Sequence, residues 1–382
     1  MKVILKNIRG GVVGTLAILV TLITVSSCYH ESSLENQRIQ KMCAFAQKMP
    51  KVELHVHLEG SVCSKTLFYL ADKNHIRLPY KNEQEWESSL HFNTFNDFVS
   101  RYRIVKSCLC TKQDHALIAY EFGKACSMQN ICYAEVIFTL PTPEKESPLA
   151  WREILTGLNE GATKAEKEFG VRLRWIFDMS IDDDARNDEA VYEFVHDNMQ
   201  HGIVALGLSS TKQANVPVSR YAFIFDRAYR DGIPVVVHAG EHRGGQSIDM
   251  YDAIFTLHAK RIGHGVLCID DSKLRSLLRQ RQIPLEICVT SNISIGVFPT
   301  YAAHPVRRLW DEGLFITINS DDPVFFKTNL VQEYQLLVKT FHFTENDLER
   351  VCLNAIHASF LSAKEKCKLE SQFKTTFIQL RS

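Results

Sequence analysis

Four short segments of the chain carry histidines and carboxylates at spacings that suit a metal ion. Each follows a run of apolar residues, and the segments are Leu54–Gly60, His238–Glu241, Gly263–Gly265 and Asn319–Pro323. Together they offer three imidazoles and one carboxylate as ligands, a set that zinc accepts. A histidine, a glutamate and an aspartate are left over. This set predicts a zinc ion that activates water, with the remaining residues free for proton transfer and substrate contact.

The four histidines each have an ordinary structural alternative. His55 and His57 lie two apart and share one strand face, although two polar residues on one face are common. His238 ends an apolar run and could be a hydrogen-bonded core residue, while His264, between two glycines, could belong to a turn. It is their joint occurrence at the ends of apolar runs that predicts a metal site.

Three acidic residues accompany the histidines. Asp321 and Asp322 are neighbours after an apolar run. Two carboxylates there repel each other unless a cation or a hydrogen-bond donor binds one of them. One aspartate on the metal and the other on the substrate would satisfy both, and a surface turn is the alternative. Glu241 follows His238 by three residues. It could act as a general acid if burial raises its pKa, or it could be a solvated loop carboxylate.

Short apolar runs alternate with longer amphipathic stretches from residue 51 onward. The strand candidates are Val52–Leu58, Ile131–Thr139, Leu173–Met179, Ile203–Leu208, Pro234–His238, Arg261–Gly263, Pro284–Val289 and Leu314–Asn319. Eight strand–helix repeats predict a (β/α)8 TIM-type barrel, with a doubly wound open sheet as the alternative. A barrel would bring the four segments together, because the carboxyl ends of its strands form one mouth.

Further helices fall outside the simple repeat. The amphipathic stretches between the strands include Trp151–Phe169, Asp188–Gln200, Val218–Asp231, Asp270–Gln282 and Ala303–Glu312. Two more segments, Leu330–Phe341 and Thr344–Ser359, predict helices that close the barrel. The stretch Ile76–Phe98 is too long for a plain loop, and its place after the first strand and helix predicts a helical lid over the mouth.

The charge balance argues against a nucleic-acid partner. The 382 residues include 44 basic and 44 acidic side chains, whereas a nucleic-acid footprint needs a clustered basic excess. A small molecule is therefore the expected partner, and the oligomeric state is left open. None of the 11 cysteines forms a CxxC pair. Cys132, Cys268 and Cys288 lie in or beside apolar segments and are expected to pack as small hydrophobic side chains.

Residues 1–28 have the pattern of a secretory signal. Lys2, Lys6 and Arg9 precede an uncharged run, and small residues stand just before Cys28. This pattern predicts export to the envelope or periplasm of a bacterium, with Cys28 lipidated as in bacterial lipoproteins. Simple secretion, an uncleaved anchor and a cytoplasmic location are alternatives. Residues 29–48 would form a tether and leading helix, and 49–382 the barrel, so that only the N-terminal signal or lipid would meet a membrane.

Six motifs match one protein family in order and spacing. They are Lys51–Ser61, His238–Glu241, Arg261–Gly265, Thr290–Asn292, Ala303–Pro305 and Asn319–Pro323. From Met49 to Ala363 the chain resembles the adenosine deaminase family of the amidohydrolase superfamily. The resemblance implies a (β/α)8 barrel with one zinc ion, which hydrolyses the 6-amino group of a purine nucleoside or base and releases ammonia.

The resemblance also implies a role for individual residues. The zinc ligands would be His55, His57, His238 and Asp321. Glu241 resembles the proton donor to purine N1, and His264 the residue that orients the attacking hydroxide and takes its proton. Asp322 resembles the residue that hydrogen-bonds the attacking oxygen or purine N7. The substrate contacts would be His57, Glu59, Ser210 and Asp322.

Two departures from the family pattern bear on the substrate. Glu59 stands where adenosine deaminases carry an aspartate that contacts the ribose, and adenine deaminases often have glutamate there. The stretch Gly207–Lys212 differs from the family's Ala-Gly-Asp-Glu sequence, so the matching contact falls near Ser210. The expected reaction is deamination of adenosine or 2′-deoxyadenosine to inosine or 2′-deoxyinosine. The alternatives are adenine, an aminodeoxyfutalosine-type nucleoside, or a catalytically silent purine-binding module.

Overall fold

Eight parallel strands pair in chain order in this computed structural model, which describes residues 34–92, 95–141, 150–180, 185–209, 218–242 and 249–381. They are β1 Lys51–Glu53, β2 Ile131–Thr139, β3 Arg172–Ser180, β4 Ile203–Ser209, β5 Val235–Ala239, β6 Arg261–His264, β7 Leu285–Ile287 and β8 Ile316–Ile318. The strand order β1 to β8, with helices around the sheet, confirms the predicted (β/α)8 barrel. The open-sheet alternative is wrong.

The barrel closes where the chain after β8 meets the chain after β1. Val56 pairs with Asp321 in a parallel bridge. The side-chain oxygen of Asn319 accepts hydrogen bonds from the backbone N–H groups of Leu54 and His55, at 3.0 and 3.1 Å. The second half of the predicted strand Val52–Leu58 is therefore held by single bridges and a side chain, and the continuous ladder ends at Glu53.

The helices surround the sheet. They are α1 at residues 34–48, α2 Ser64–Lys73, α3 Glu83–Ser89, α4 Phe95–Ser107, α5 Lys112–Ser127, α6 Trp151–Phe169, α7 Ala185–Asn198, α8 Ser219–Arg230, α9 Met250–Phe255, α10 Ser272–Arg281, α11 Val289–Ser294, α12 Val306–Asp311, α13 Leu330–Phe341, α14 Glu345–Ala358 and α15 Ala363–Arg381. The predicted bounds of α6 and α13 are confirmed. The predicted helix Ala303–Glu312 is shorter, because regular α12 begins only after Pro305.

A small apolar cluster fills the interior of the barrel, apart from the large core around it. Its members come from four neighbouring strands and are Ile137, Ile176, Ala205 and Val236. Side chains alternate along a strand, so the residues two positions further on face the same interior, nearer the mouth. Those residues are Thr139, Asp178, Gly207 and His238. The strand geometry thus places a predicted ligand and an unpredicted carboxyl in one inward layer.

The stretch predicted to form a lid contains α3 and the start of α4. Trp86 of α3 is fully buried, and its ring centroid lies 5.2 Å from that of Tyr80 and 6.1 Å from that of Phe325. Phe325 follows Asp322 by three residues, so the stretch packs on the chain that leaves β8 at the mouth. Its closing over a ligand stays a prediction.

Three further expectations concern cysteines and the N-terminus. Every cysteine that the structure describes is unpaired; Cys268 and Cys288 are buried and Cys132 is partly buried. None of the described helices is both long and apolar enough to cross a membrane. The predicted signal, its Cys28 and the predicted contact Ser210 lie outside the described residues.

Candidate active site

The four predicted zinc ligands lie together at the mouth of the barrel. The Nε2 atoms of His55 and His57 are each 3.4 Å from Oδ1 of Asp321. His57 Nε2 is 3.3 Å from Nε2 of His238. All four side chains are buried. Residues almost 270 positions apart in the chain therefore present nitrogen and oxygen atoms to one small volume.

The contacts of this cluster fit a zinc ion. His55 Nδ1 lies 2.7 Å from the carboxylate of Glu286, so the ring donates there and aims the Nε2 lone pair at Asp321. A lone pair that faces a carboxylate, and two imidazole nitrogens that face each other, are unfavourable unless a cation lies between them. Imidazole nitrogens and a carboxylate oxygen are ligands that zinc takes. The metal-binding groups among the described residues overlap at one locus, which favours one ion.

The pKa values of the ligands reflect the same arrangement. Burial lowers the pKa of His55, but hydrogen bonds and charges from Asp321 and Glu286 outweigh this and raise it to about 10. Without a cation, a proton would thus occupy the place between the ring and Asp321. Burial lowers the pKa of His57 to about 4, which keeps its ring neutral and able to donate a lone pair to a metal.

A chain of buried charges supports His55 from inside the barrel. Glu286 accepts a hydrogen bond from Arg261 Nε at 2.5 Å, and Nη1 of the same guanidinium lies 2.5 Å from Oε2 of Glu135. All three side chains are at most 1 % exposed. Burial raises the pKa of Glu286, but the charges of Arg261 and His55 outweigh it and hold that pKa below its usual range. A carboxylate that fixes a ligating imidazole tunes metal affinity.

Two glycines leave room for site side chains. A Cβ atom at Gly263 would lie 2.8 Å from His55 Cε1, and one at Gly60 would lie 1.9 Å from Asp322 Oδ1.

The backbones of His264 and Asp321 adopt φ values of 60° and 63°, in the left-handed region that non-glycine residues rarely enter. Such conformations concentrate at functional sites, where the surrounding structure enforces them.

The orientation of His264 is set by a relay of hydrogen bonds. The backbone N–H of Val306 donates to His304 Nδ1 at 3.2 Å, so His304 carries its proton on Nε2 and donates to Asn292 Oδ1 at 3.1 Å. The Asn292 amide then donates to Nδ1 of His264 at 3.2 Å. Neutral His264 therefore carries its proton on Nε2, 3.4 Å from Oε1 of Glu241. This ring can orient an oxygen as a donor; its predicted proton-accepting role stays a prediction.

Glu241 is buried between two imidazoles. Its Oε1 faces His264, and its Oε2 lies 3.2 Å from His242 Nε2. Burial raises the pKa of Glu241, but electrostatic interactions with the neighbouring His264 and His242 rings outweigh it and lower that pKa. The condition under which Glu241 would hold a proton at rest, a pKa raised by burial, is therefore not met in this arrangement. Glu241 rests as a carboxylate and has to receive a proton before it can act as an acid.

Asp322 and Glu59 form an acidic group next to the ligands. Burial raises the pKa of Asp322 well above its usual range, and the nearby charges of Asp321 and Glu59 raise it further. Glu59 is fully buried and accepts a hydrogen bond from the backbone N–H of Thr139 at 3.2 Å. Burial raises the pKa of Glu59 to about 7. Both predicted substrate contacts thus lie at the mouth, beside the metal cluster.

Sequence reasoning missed several residues of this site. Glu286, Arg261 and Glu135 are charged residues inside strands, where a strand pattern cannot say which face they take. Asn292 and His304 lie in the two motifs that were quoted for the family resemblance without a role. Their place in those motifs was the available signal.

The model of the adenosine deaminase family matches residues 50–376 of the chain. The chain belongs to this family. It is 33% identical over 337 residues to an adenine deaminase of Crocosphaera subtropica, covering 87% of this chain and 100% of the relative. It is 32% identical over 334 residues to an aminodeoxyfutalosine deaminase of Streptomyces avermitilis, covering 87% and 92%.

Solved structures agree with the family. The crystal structure of an adenine deaminase from Arthrobacter aurescens superposes with a TM-score of 0.80 at 27% identity, covering 87% of this chain and 99% of that one. The resemblance stated from the motifs is confirmed, and the chain is a member of a family of metal-dependent hydrolytic deaminases. The relatives are named for adenine and aminodeoxyfutalosine, so the expected preference for adenosine gains no support from them.

Proposed function

We propose that the protein hydrolyses adenine to hypoxanthine and ammonia with the help of one zinc ion. The observation that carries this proposal is a zinc-type cluster at the mouth of a barrel whose relatives, at 30–33% identity over most of their length, are named adenine deaminases. The sequence-based preference for adenosine gives way to its stated alternative.

The described residues support a division of the chemistry. Bound zinc would lower the pKa of water and so supply a nucleophile at neutral pH. In the overall reaction a C6–O bond forms and the C6–N bond breaks, with water consumed and ammonia released. Glu241 would deliver a proton to ring nitrogen N1, so that the ring can accept electrons. Asp322, the neighbour of the predicted ligand Asp321, would hydrogen-bond N7.

Proton movement follows from the contact between two side chains. Glu241 is ionised at rest because His264 and His242 lower its pKa. Its Oε1 lies 3.4 Å from Nε2 of His264, whose N–H can therefore orient both this carboxylate and an attacking oxygen. A proton lost by the attacking water would pass to the Glu241 carboxylate, which would then give it to N1.

The acidic group suits a free base. Adenine carries an N–H donor on its imidazole ring, which adenosine has lost to the glycosidic bond. A buried carboxylate at the mouth can accept from such a donor without competition from bulk water, and Glu59, fully buried beside the cluster, makes this part of the mouth acidic. An aminodeoxyfutalosine-type nucleoside is the second candidate substrate, favoured by the 32% identity to a deaminase of that name.

The test is turnover by the zinc-loaded protein of adenine, adenosine, 2′-deoxyadenosine and an aminodeoxyfutalosine-type nucleoside, each assayed separately. Loss of the 6-aminopurine absorbance and release of ammonia would be followed together. We expect adenine to give hypoxanthine with the highest kcat/KM. Turnover of a nucleoside in the absence of adenine turnover would overturn the substrate assignment, and turnover of none of them would overturn the reaction.

We also propose that residues 1–28 direct export and that Cys28 becomes lipidated. The support is the basic, apolar and small-residue pattern before Cys28. Fractionation of cells that carry the full chain or its Cys28→Ala variant tests this. Retention of the wild type in the membrane fraction and loss of the variant from it is expected, whereas identical processing and release of both would contradict lipidation.

A further inference from the structure

Asp178 is a buried carboxyl at the mouth that neither the family resemblance nor the strand pattern singles out. It lies on β3, two positions beyond Ile176 of the interior cluster, so its side chain faces into the barrel. The neighbouring strands pair with it through Thr139 on one side and Gly207 on the other. Thr139 is also the residue whose N–H binds Glu59. Asp178 therefore lies beside the strand residue that binds Glu59.

The space for Asp178 is provided by a missing side chain. A Cβ atom at Gly207 would lie 1.6 Å from Asp178 Oδ1. The same relation holds at Gly60, whose space is taken by Asp322, and at Gly263, whose space is taken by His55. In those two cases the side chain that takes the space belongs to the predicted site. Gly207 leaves room for Asp178 in the same way.

The contacts of Asp178 do not explain, in terms of stability, why a carboxyl is buried at this position. Its side chain is 2 % exposed, and its Oδ2 accepts a hydrogen bond from the hydroxyl of Ser209 at the end of β4. Burial, together with the smaller effect of the negative charges of Glu59 and Glu286, raises the pKa of Asp178 to about 7. An apolar side chain would fill the same place without the desolvation cost of a carboxyl. A buried carboxyl that faces the mouth of such a barrel is typical of a functional site.

We propose that Asp178, oriented by Ser209 and seated over Gly207, is a specificity-determining residue that accepts a hydrogen bond from the imidazole-ring N–H of a free purine base. The inference rests on the proposed function and names the group that separates base from nucleoside. With N1 at Glu241 and N7 at Asp322, the N3–N9 edge of the purine is the edge still without a protein partner. A nucleoside offers no N9–H to Asp178 and would leave this buried carboxyl without a donor from the ligand, which sites of this kind reject.

The experiment compares the zinc-loaded wild type with its Asp178→Ala variant. The ratio of kcat/KM for adenine to kcat/KM for adenosine is measured for both, together with the Kd of hypoxanthine and of inosine by calorimetry. We expect the adenine-to-adenosine ratio to fall about tenfold or more, mainly through a higher KM for adenine. Hypoxanthine, which keeps the ring N–H, should lose affinity by a similar factor, and inosine should not.

Two further variants keep the test decisive. Ser209→Ala removes only the group that orients Asp178 and should shift the ratio in the same direction by a smaller factor. It carries the comparison alone if Asp178→Ala does not fold. Asp114→Asn is the control, because Asp114 is a buried carboxyl bound by Asn74 and by the N–H groups of Cys110 and Thr111, none of which belongs to the site. It should leave the ratio unchanged.

The outcomes separate this inference from the function on which it rests. A wild type that turns over no purine would overturn the proposed function. A wild type that deaminates adenine, with an adenine-to-adenosine ratio that neither Asp178→Ala nor Ser209→Ala alters, would overturn the role of Asp178 alone. Equal losses of affinity for hypoxanthine and inosine would likewise show that Asp178 does not distinguish base from nucleoside.

Discussion

The two sides of the barrel mouth are built in opposite ways. The metal side is formed by His55, His57, His238 and Asp321. There the Asp321 carboxylate lies against two imidazoles, and buried contacts lead from His55 to Glu286 and from Glu286 to Arg261. On the carboxyl side, formed by Glu59, Asp178 and Ser209, burial raises the pKa of both acids, and the charge of Glu59 adds to the effect on Asp178. The metal side is thus organised to hold a fixed cation before any substrate arrives. The carboxyl side is organised to be completed by hydrogen-bond donors of the substrate.

The largest expected effect comes from removing a group on the metal side. His238→Ala should abolish turnover, because three remaining side chains no longer complete the ligand set. Zinc content by atomic absorption and turnover of adenine are the measurements. Chelation should abolish the activity of the wild type, and added zinc should restore it. His357→Ala, at a partly exposed histidine on α14, is the control and should behave as the wild type. Full activity in His238→Ala would refute the ligand assignment.

A smaller effect is expected when the chemistry is damaged but the metal is kept. Glu241→Gln preserves the shape of the side chain but cannot take up and deliver a proton, so kcat should fall about 10²–10⁴-fold. Zinc content should stay that of the wild type, because Glu241 contacts His264 and His242 and lies outside the predicted ligand set. Steady-state kinetics and metal analysis of the same sample measure both. An unchanged kcat would remove Glu241 from the role of acid.

Glu286, which orients His55, should contribute less to zinc affinity than the zinc ligands themselves. Glu286→Gln weakens the hydrogen bond that fixes His55 and leaves Arg261 with less negative charge. Zinc affinity should fall about 10–100-fold, as for other groups that orient metal ligands. Competition with a chromogenic chelator gives the Kd. Glu312→Gln, which breaks a similar pair with Arg275 outside the barrel, is the matched control. Equal zinc affinity in all three proteins would contradict this role.

The smallest effect concerns the pH dependence of stability on the carboxyl side. Because burial raises the pKa of Asp178 to about 7, the folded protein binds more protons than the unfolded chain between about pH 4 and 7. This carboxyl therefore lowers the free energy of unfolding as the pH rises through that window, by at most about 1.4 kcal/mol per pH unit. Asp178→Asn should remove that slope. Urea unfolding of both proteins from pH 5 to 8 measures it, and parallel curves would show that Asp178 titrates normally.

The two sides also differed in how far the sequence predicted them. The metal side was predictable because zinc takes few ligand types, and His55, His57, His238 and Asp321 follow apolar runs that end at one mouth. Asp178 could not be found this way, since a single aspartate inside an apolar strand forms no motif. Its importance depends on Gly207, one strand away in the barrel and 29 positions away in the chain. Only the pairing of β3 and β4 brings the two together.

The pKa values and charge contacts of the site were the other feature that could not be predicted from the sequence. The pKa of Glu241 depends on two imidazoles at distances that no spacing specifies, and their charges reverse the expected effect of burial. The buried contacts from His55 to Glu286 and Arg261 likewise join the segment after β1 to strands β7 and β6. The barrel itself and about half of the helix positions followed from local patterns, since alternation and amphipathicity are properties of neighbouring residues. The helices α5 and α15 were not predicted.

The central claim, a zinc deaminase that prefers the free base, is tested most directly by competition. Equimolar adenine and adenosine are given together to the zinc-loaded wild type, and hypoxanthine and inosine are quantified by chromatography during early turnover. The ratio of the two products reports the ratio of kcat/KM. The account predicts that hypoxanthine accumulates first and adenosine remains. Faster formation of inosine would contradict the account.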